Sequence, residues 1–548
     1  MGARFFRPKR LCTLALLAVS VAVGFWWVGH APYDPLAIYR PIPASATMVG
    51  RHLDLPARWN DLLANPLALA LMRTAGVRTE DAARLAEDDE SRKWFEKLAG
   101  REGTLAYLPG RFGGAPAWMA VSHLGGQSQK LRWQLSLFKV PGYSRMDPFP
   151  GHSVWRVETP DLDPGQQLVM AFGEGILMAC LSENPLAIAE VLGADDGPVR
   201  RLMEEDPSFA DFAGQDDRSV PDRLWFRGDP EWASTGIAVE IPVLRGDAMS
   251  LSASAEGAEW LPEDDEGSAD MDSLARLLGV APCAVAGVRR DVLQKLLEQP
   301  WLRGDLRHAA RMVSEVATGR VAVAFMDGDL GGHLAWGAMR SLGLSGLRVP
   351  TLVLATPAPD PAAAGAAIQR ILDSSNARYR AAFLIRPVTT SAATLCTLES
   401  AGGNEWVDDL APSDRPAYAV LDGWLLAASN LDALRKLAER AAGGAVGGAA
   451  ARPPGAWAAQ ADSASALAVW LDLARSGKTA RDAMAMWSMA QTFLDSGGSR
   501  DARERLNEIQ TWIDAFVPFG EARADLSRRG KKTVWSVDLG LSGAAAGE

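Results

Sequence analysis

GEGILMACLSENPLAIAEVL, residues 173–192, and LDGWLLAASNLDALRKL, residues 421–437, are one pattern written twice. Each opens on a glycine turn and runs through an unbroken apolar stretch of strand length. Each then turns at Ser and Asn and ends with apolar residues at helical spacing. A strand–turn–helix unit recurring within one chain points to a duplicated fold.

Working outward, further pairs keep the same order. GRHLDLPARWNDLLANP from Gly50 matches GVRRDVLQKLLEQP from Gly287, and Phe112-Gly113-Gly114 matches Leu330-Gly331-Gly332. DRLWFRGD at Asp222 matches LAVWLDLA at Leu467. AVEIPVLRGDAMSLSAS from Ala238 matches ARADLSRRGKKTVWSVD from Ala522, both turning on Arg-Gly. Any one pair is short enough to recur by chance; the shared order predicts two copies, 42–256 and 280–544.

Within the first copy TLAYL, AWMAVSHL, LRWQLSLFKV, HSVWRVE, QLVMAF and GILMACL read as strands separated by turn residues. Residues 183–192 then read as helix. Ahead of the strands, Trp59 to Met72 has helical spacing broken at Asn65-Pro66, and the charged stretch 79–98 fits a surface helix. The acidic segment 257–279 reads as a solvated linker, and AAGGAVGGAAARPPG (441–455) as a flexible connection. Copy two carries extra helices at about 479–494 and 501–516, an inserted hairpin joined at Ser496-Gly497-Gly498.

At the N-terminus LCTLALLAVSVAVGFWWV runs without charge from Leu11 to Val28. As a helix it is roughly 27 Å long, against a hydrocarbon core of ~30 Å. Arg4, Arg7, Lys9 and Arg10 precede it, and Phe25, Trp26 and Trp27 close it. This predicts a basic cytoplasmic tail and membrane anchor over 1–30, then a stalk at 31–41, with the bulk of the chain periplasmic or extracytoplasmic. A cleaved signal peptide, cut near Ala22-Val23-Gly24, is the rival reading, and it exports the body equally. The predicted fold class is α+β: an N-terminal transmembrane helix, then two tandem repeats of largely antiparallel sheet with helices on one face.

Anchor, proline-bearing start, a helix with Asn65-Pro66 and paired sheet-and-helix units together resemble uncharacterised exported, membrane-anchored bacterial proteins of unknown function. The resemblance covers most of the chain as layout. It implies a topology and carries no catalytic motif.

Composition bounds the function classes. The 548 residues are 48% hydrophobic and 22% charged, as in globular proteins, and the formal net charge is -11. Since the first 30 residues are basic, the body is more acidic still, which disfavours nucleic acid as a partner. Of four cysteines, Cys180, Cys283 and Cys396 lie in apolar runs with no CxxC, which suits buried thiols, although one disulfide among them stays open. No cofactor or metal site is predicted. The six histidines show no i, i+3 or i, i+4 pair, though His123 and His333 both flank a Gly-Gly.

Catalytic motifs fail on inspection. Ser476-Gly477-Lys478-Thr479 follows a strand-like run but has Asp472 where a phosphate loop needs glycine. Ser136-Leu137-Phe138-Lys139 falls inside a run read as strand, not at a helix start. Asp54 and Asp291 occupy matching places before a helix and suit helix capping. Trp118, Trp133, Trp155, Trp336, Trp470 and Trp535 suit a large sheet core, or a sugar-stacking surface if exposed.

The inserted hairpin is the candidate protein-contact surface. Its first helix spreads apolar residues more widely than one neighbour covers, which singles out Met484, Met486, Trp487 and Met489, with Trp512 on the second helix. The reading that follows is a non-catalytic scaffold or interaction protein of the bacterial envelope, membrane-bound through Leu11 to Val28. A carrier for an apolar ligand held between sheet and helices, and an enzyme with an unrecognised site, are the alternatives. A large apolar pocket favours the carrier; a buried polar cluster in a cleft favours the enzyme.

Overall fold

The computed structural model describes residues 15–20, 23, 31–74, 79–110, 115–146, 149, 152–159, 162, 165–173, 175–193, 200–215, 217–228, 236–256, 261, 271–278, 282–298, 304–327, 332–333, 348–401, 410–442, 456–461, 465–494 and 500–540. It divides into two compact units. Unit 1 takes residues 1–63 and 76–242, and unit 2 takes residues 64–75 and 243–548.

The strands of unit 1 are β1 (Met48–Leu53), β2 (Glu102–Leu108), β3 (Ala117–His123), β4 (Tyr143–Met146) and β5 (Val154–Val157). They continue with β6 (Gln167–Phe172), β7 (Ile176–Ser182), β8 (Asp222–Phe226) and β9 (Ile237–Leu244). Paired throughout antiparallel, they lie in the order β4-β5-β6-β7-β3-β2-β1-β8-β9.

Its helices begin with α1 (Leu55–Ala64), followed by α2 (Pro66–Thr74), which belongs to unit 2. The Asn65 carboxamide oxygen accepts from the amides of Leu67 and Ala68 at 3.0 Å, so the "NP" break is a helix cap. The charged stretch 79–98 is two helices, α3 (Thr79–Glu87) and α4 (Asp89–Ala99), divided where Asp88 caps the second through the Ser91 amide at 2.7 Å. Next come α5 (Gly126–Leu137), α6 (Ile188–Leu192), α7 (Leu202–Glu205) and α8 (Pro207–Gly214).

Unit 2 holds β10 (Met249–Glu256), β11 (Ala284–Val288), β12 (Val321–Met326), β13 (Thr351–Pro357), β14 (Phe383–Thr389) and β15 (Thr394–Ser400). β16 (Ala417–Leu421), β17 (Trp424–Ala428), β18 (Leu467–Asp472), β19 (Glu521–Arg529) and β20 (Lys532–Leu539) complete its large sheet, and Gly332–His333 pairs with Arg348–Val349 in a separate two-stranded ribbon. The order is β14-β15-β16-β17-β13-β12-β11-β18-β19-β20-β10, again antiparallel. Its helices are α9 (Met271–Leu278), α10 (Arg290–Glu298), α11 (Gly304–Val316), α12 (Pro361–Tyr379), α13 (Leu431–Ala442), α14 (Ala456–Ala461), α15 (Leu473–Leu494) and α16 (Arg500–Phe516).

Strand for strand, the pairing of β1 to β9 is repeated by β11 to β19, and the registers coincide. Val49 faces Ala106 and Trp225 in unit 1; Val285 faces Ala324 and Trp470 in unit 2; all six are buried. Ala171 and Met178 correspond in the same way to Ala419 and Leu426.

Several sequence readings are corrected. The membrane-crossing helix is not found: among the described residues no helix is long and apolar enough to cross a membrane. Of Leu11 to Val28 only residues 15–20 and 23 are described, as helix. The rest of that run lies outside the described residues.

The stalk is also overturned. Ile38 and Tyr39 of that segment, with Ile42 directly after it, are buried in unit 1's core, because three large apolar side chains within five residues gain more from burial than from spanning solvent. The acidic linker likewise ends in α9, whose Met271, Leu274, Leu277 and Leu278 are buried in unit 2's core.

LRWQLSLFKV is not a strand. Residues 126–137 form α5, with Ser128 and Leu131 on its buried side, so spacing by three and four decided over alternation. Helices lie on both sheet faces, not one. Val154, Val169 and Ala171 join one cluster, while their neighbours Trp155, Met170 and Phe172 join another with Leu131 of α5.

Candidate functional site

Unit 1 contains a cleft of about 770 Å³ at one end of its sheet. Its walls come from the end of β1 (Leu53), the start of β2 (Arg101, Glu102), the end of β3 (His123), the last turn of α4 (Glu96, Lys97, Gly100) and the first turn of α5 (Gly125, Gln127). Tyr33, from the segment read as stalk, and Arg218 complete it. Local chemistry places each wall. Gly100 ends α4 at φ 63°, where an added Cβ would lie 2.5 Å from the His123 carbonyl oxygen, so α4 and β3 approach only through glycine. After His123, the amides of Leu124 and Gly125 both donate to the Gly175 carbonyl at 2.8 Å, and the chain turns into α5.

Inside the cleft Tyr33 is the hub. Its hydroxyl donates to Glu102 Oε2 at 2.5 Å and accepts from Arg218, whose guanidinium lies 5.0 Å from the ring centre. The His123 ring meets Tyr33 edge-on at 4.9 Å. Glu102 is buried, while Tyr33 and Arg218 are exposed. Arg218 is presented by a short turn in which Asp217 accepts from the Ser219 amide and hydroxyl at 2.9 and 2.6 Å. Those bonds hold the exposed Asp217 carboxyl below its ordinary value.

That turn is anchored from within the sheet. Arg51 of β1, buried, donates to the carbonyls of Asp217 and Val220 at 2.9 and 2.5 Å. Its cross-strand neighbour Arg223, equally buried, donates to the carbonyls of Phe212 and Gln215 and to the Gln215 side chain.

Beside them His52 Nδ1 lies 2.8 Å from Asp222 Oδ1, and Arg58 forks onto the same carboxylate at 2.6 and 2.8 Å. Arg58 Nε donates at 3.0 Å to the carbonyl of Leu53, which lines the cleft. Burial pushes the Asp222 carboxyl up, but hydrogen bonds from Arg58 and His52 and their charges outweigh it and hold it at about 2.

Unit 2 builds the same sheet without this chemistry. Matching registers put Gly287 and Val288 where unit 1 has Arg51 and His52, and Leu467 and Ala468 where it has Asp222 and Arg223. Val288 and Leu467 pack with Leu261, Val292, Ala466 and Leu526. The buried Glu102 is matched by Arg320, also buried, donating to the carbonyls of Gly287 and Ser465.

The residues singled out in sequence do not meet in one place. Met484 and Trp512 are half-buried on α15 and α16, and Trp512 lies 6.3 Å from the Phe516 ring. Met486, Trp487 and Met489 fall on the backbone of α15, with side chains outside the described residues. α16 packs on α2 as well as on α15, so the chain itself covers part of the hairpin's apolar surface. Ser476 to Thr479 lies inside α15, where a Cβ on Gly477 would come 2.3 Å from Val517; close helix packing accounts for that glycine.

His123 lines the cleft, whereas the register matches it to Pro357, not to His333. Asp291 binds Arg289, and Asp54 precedes α1 at φ 46°. Trp155 and Trp470 are buried as predicted for core, Trp133 and Trp535 are 40% and 46% exposed, and Trp336 lies outside the described residues, as do both Gly-Gly turns apart from Gly332. Cys180, Cys283 and Cys396 are free thiols; burial first, then Glu190, pushes the Cys180 thiol up to about 12. Tyr33, Glu102 and Arg218 carried no sequence signal, because each is an isolated polar residue.

No family model matches the chain, and no curated protein does. A solved structure titled "Structure of crystal form III of TP0453" aligns at 11% identity over 41% of this chain and 80% of that one. Its TM-score of 0.25 carries no argument about this chain.

Proposed function

We propose that the chain is a non-catalytic binding protein in which unit 1 receives a small polar ligand in the cleft around Tyr33. The observation that supports this is the contrast at equivalent sheet positions. Burying Arg51, Asp222 and Arg223 costs several kcal/mol of desolvation per ion before their partners repay it. Unit 2 folds the same strands with Gly287, Leu467 and Ala468 there, so the sheet does not need those ions. In unit 1 they hold the turn that carries Arg218 and the carbonyl of Leu53. The polar lining argues against an apolar cargo. Tyr33 is already tied to Glu102 and Arg218, which suits recognition better than proton transfer. A thermal-shift screen of charged metabolites against the full-length protein, the Arg218→Ala variant and the Tyr33→Phe variant tests the reading. A ligand that stabilises the parent and neither variant supports it; ligands that stabilise all three equally place binding elsewhere.

A protein partner on the hairpin is the second reading, favoured by Ile509, which is 49% exposed on α16 near the half-buried Trp512. Replacing residues 480–516 with a Gly-Ser bridge separates the roles. Unfolding of the remaining chain makes the hairpin core; a stable monomer that loses a pulled-down partner makes it a contact surface.

A further inference from the structure

We infer, independently of the cleft, that the far end of α5 and the edge strand β4 form a face of unit 1 that docks on an anionic lipid surface. Charge isolates this stretch first. Between Glu102 and Asp147 the chain carries Arg111, Lys130, Arg132, Lys139 and Arg145 and no acid, in a protein whose formal net charge is -11.

The fold gives that basic stretch an apolar tip. Ser128 and Leu131 are buried and Leu135 packs beside them against the core cluster, which fixes the inner side of α5. At roughly 100° per residue, Trp133 and Leu137 fall on the opposite side of the helix, with Lys130 next to them. A helix that faces water carries polar residues there. Here Trp133 is 40% exposed, and Leu137 at 74% is the most exposed large apolar side chain among the described residues. Phe138 follows at 67%, where the chain leaves the helix with φ -120° and ψ 142°. Three large apolar side chains thus stand in water within six residues. β4 brings a further cation to the same side of the sheet: exposed Arg145 pairs in register with Trp155, which belongs to the cluster that α5 covers.

Unit 2 does not repeat the feature. α12 follows the third strand of its unit as α5 does, and it exposes Gln369, Arg370, Asp373 and Ser374 instead. The apolar tip is therefore not a requirement of the repeat.

The composition fits lipid better than a protein partner. Protein interfaces are depleted in Lys, whereas Trp, Leu and Phe flanked by Lys and Arg suit the boundary between headgroups and acyl chains. An indole ring sits at that boundary, and Lys keeps its ammonium in water while its stem lies along apolar surface. Each cation favours an anionic leaflet by about fivefold in partitioning, and the attraction acts only within a Debye length of ~10 Å. The acidity of the rest of the chain therefore does not cancel it; it selects which face approaches. Glu158, whose amide donates to the Gly142 carbonyl at 2.8 Å, borders the face on one side.

Hydrogen exchange on the full-length protein tests this with two kinds of vesicle, phosphatidylcholine alone and phosphatidylcholine mixed with a third of phosphatidylglycerol. Because exchange is read segment by segment, contact made elsewhere on the chain does not enter. Residues 132–146 are expected to exchange several-fold more slowly on the mixed vesicles, and raised salt is expected to remove the effect. Leu137→Ser with Phe138→Ser, and separately Lys130→Glu with Lys139→Glu, are expected to abolish the slowing. The same charge change at the exposed Lys531 and Lys532 of unit 2 is expected to leave it intact. Unchanged protection of β7 shows that each variant is folded. No slowing on the mixed vesicles overturns the proposal, as does equal slowing on phosphatidylcholine alone. Slowing that survives both unit 1 variants, or that is lost equally with Lys531 and Lys532, overturns the assignment to this face.

Discussion

Units 1 and 2 share strand order and register yet differ wherever unit 1 is polar inside. Across the first and eighth strands of the repeat, Arg51, His52, Asp222 and Arg223 occupy the positions held by Gly287, Val288, Leu467 and Ala468 in the other unit. The helix leaving the third strand is capped by Asp360 in one unit and uncapped in the other. What the pair teaches is that these ionic groups are not needed to build the sheet. An internal copy serves as the control that a single fold lacks.

The largest effect tests whether the units are equivalent at all. Trp225 and Trp470 occupy the same register position, each beside a buried valine. Trp225→Ala and Trp470→Ala should each cost about 3–5 kcal/mol in urea unfolding, with Trp225 at the upper end because it is fully enclosed and packs 5.1 Å from Phe209. If only one tryptophan matters, the equivalence is broken.

Next comes the ion cluster. Asp222→Ala leaves Arg58 and His52 without their carboxylate and should cost about 3 kcal/mol or more. Replacing the whole cluster with unit 2's residues, His52→Val with Arg58→Gln and Asp222→Leu, should cost about half as much or less, since no orphaned charge remains. A triple variant worse than Asp222→Ala would show that the cluster is structural after all.

Acid sharpens the same contrast. Asp222 has a folded-state carboxyl at about 2 against an ordinary 3.8, so the stability it contributes is fully present above the ordinary value and is lost as pH falls through it toward 2. The parent should lose about 2 kcal/mol over that window, and the triple variant should lack this component. An unchanged acid limb in the triple variant would assign the sensitivity to other carboxylates.

The smallest effect concerns the cap. Asp360→Ala should cost about 1 kcal/mol by freeing two amides of α12. Because the matching start of α5 already lacks a cap, the same assay on Gln127→Glu should show a stabilisation of a few tenths of a kcal/mol, the sign reversed. Destabilisation by Gln127→Glu would mean that the start of α5 is not electropositive.

Much of the repeat was legible in the chain because its signals are local. β7 and β17, with their glycine turns, follow from short apolar runs, and α13 follows from spacing by three and four. Asn65-Pro66 reads correctly as a helix junction because capping is decided within three residues. LRWQLSLFKV does not, since its apolar residues satisfy both alternation and helical spacing, and only burial of Leu131 against Trp155 and Met170 selects the helix. The uncharged run from Leu11 to Val28 is a hydropathy signal, and among the described residues it yields no membrane-length helix.

The amino-acid order alone determined a largely antiparallel sheet accompanied by helices, most strand positions, the recurring strand–turn–helix unit and an acidic body. Tertiary structure alone decided which residues form the cleft. Tyr33, Glu102, His123 and Arg218 meet because β1, β2 and β3 end side by side and because Arg51 holds the 217–220 turn across the sheet. Periodicity reports which face of an element is buried, an average over neighbours a few residues apart. The Arg218–Tyr33 contact spans 185 residues, and no local pattern encodes which distant turn a register brings to a given strand end.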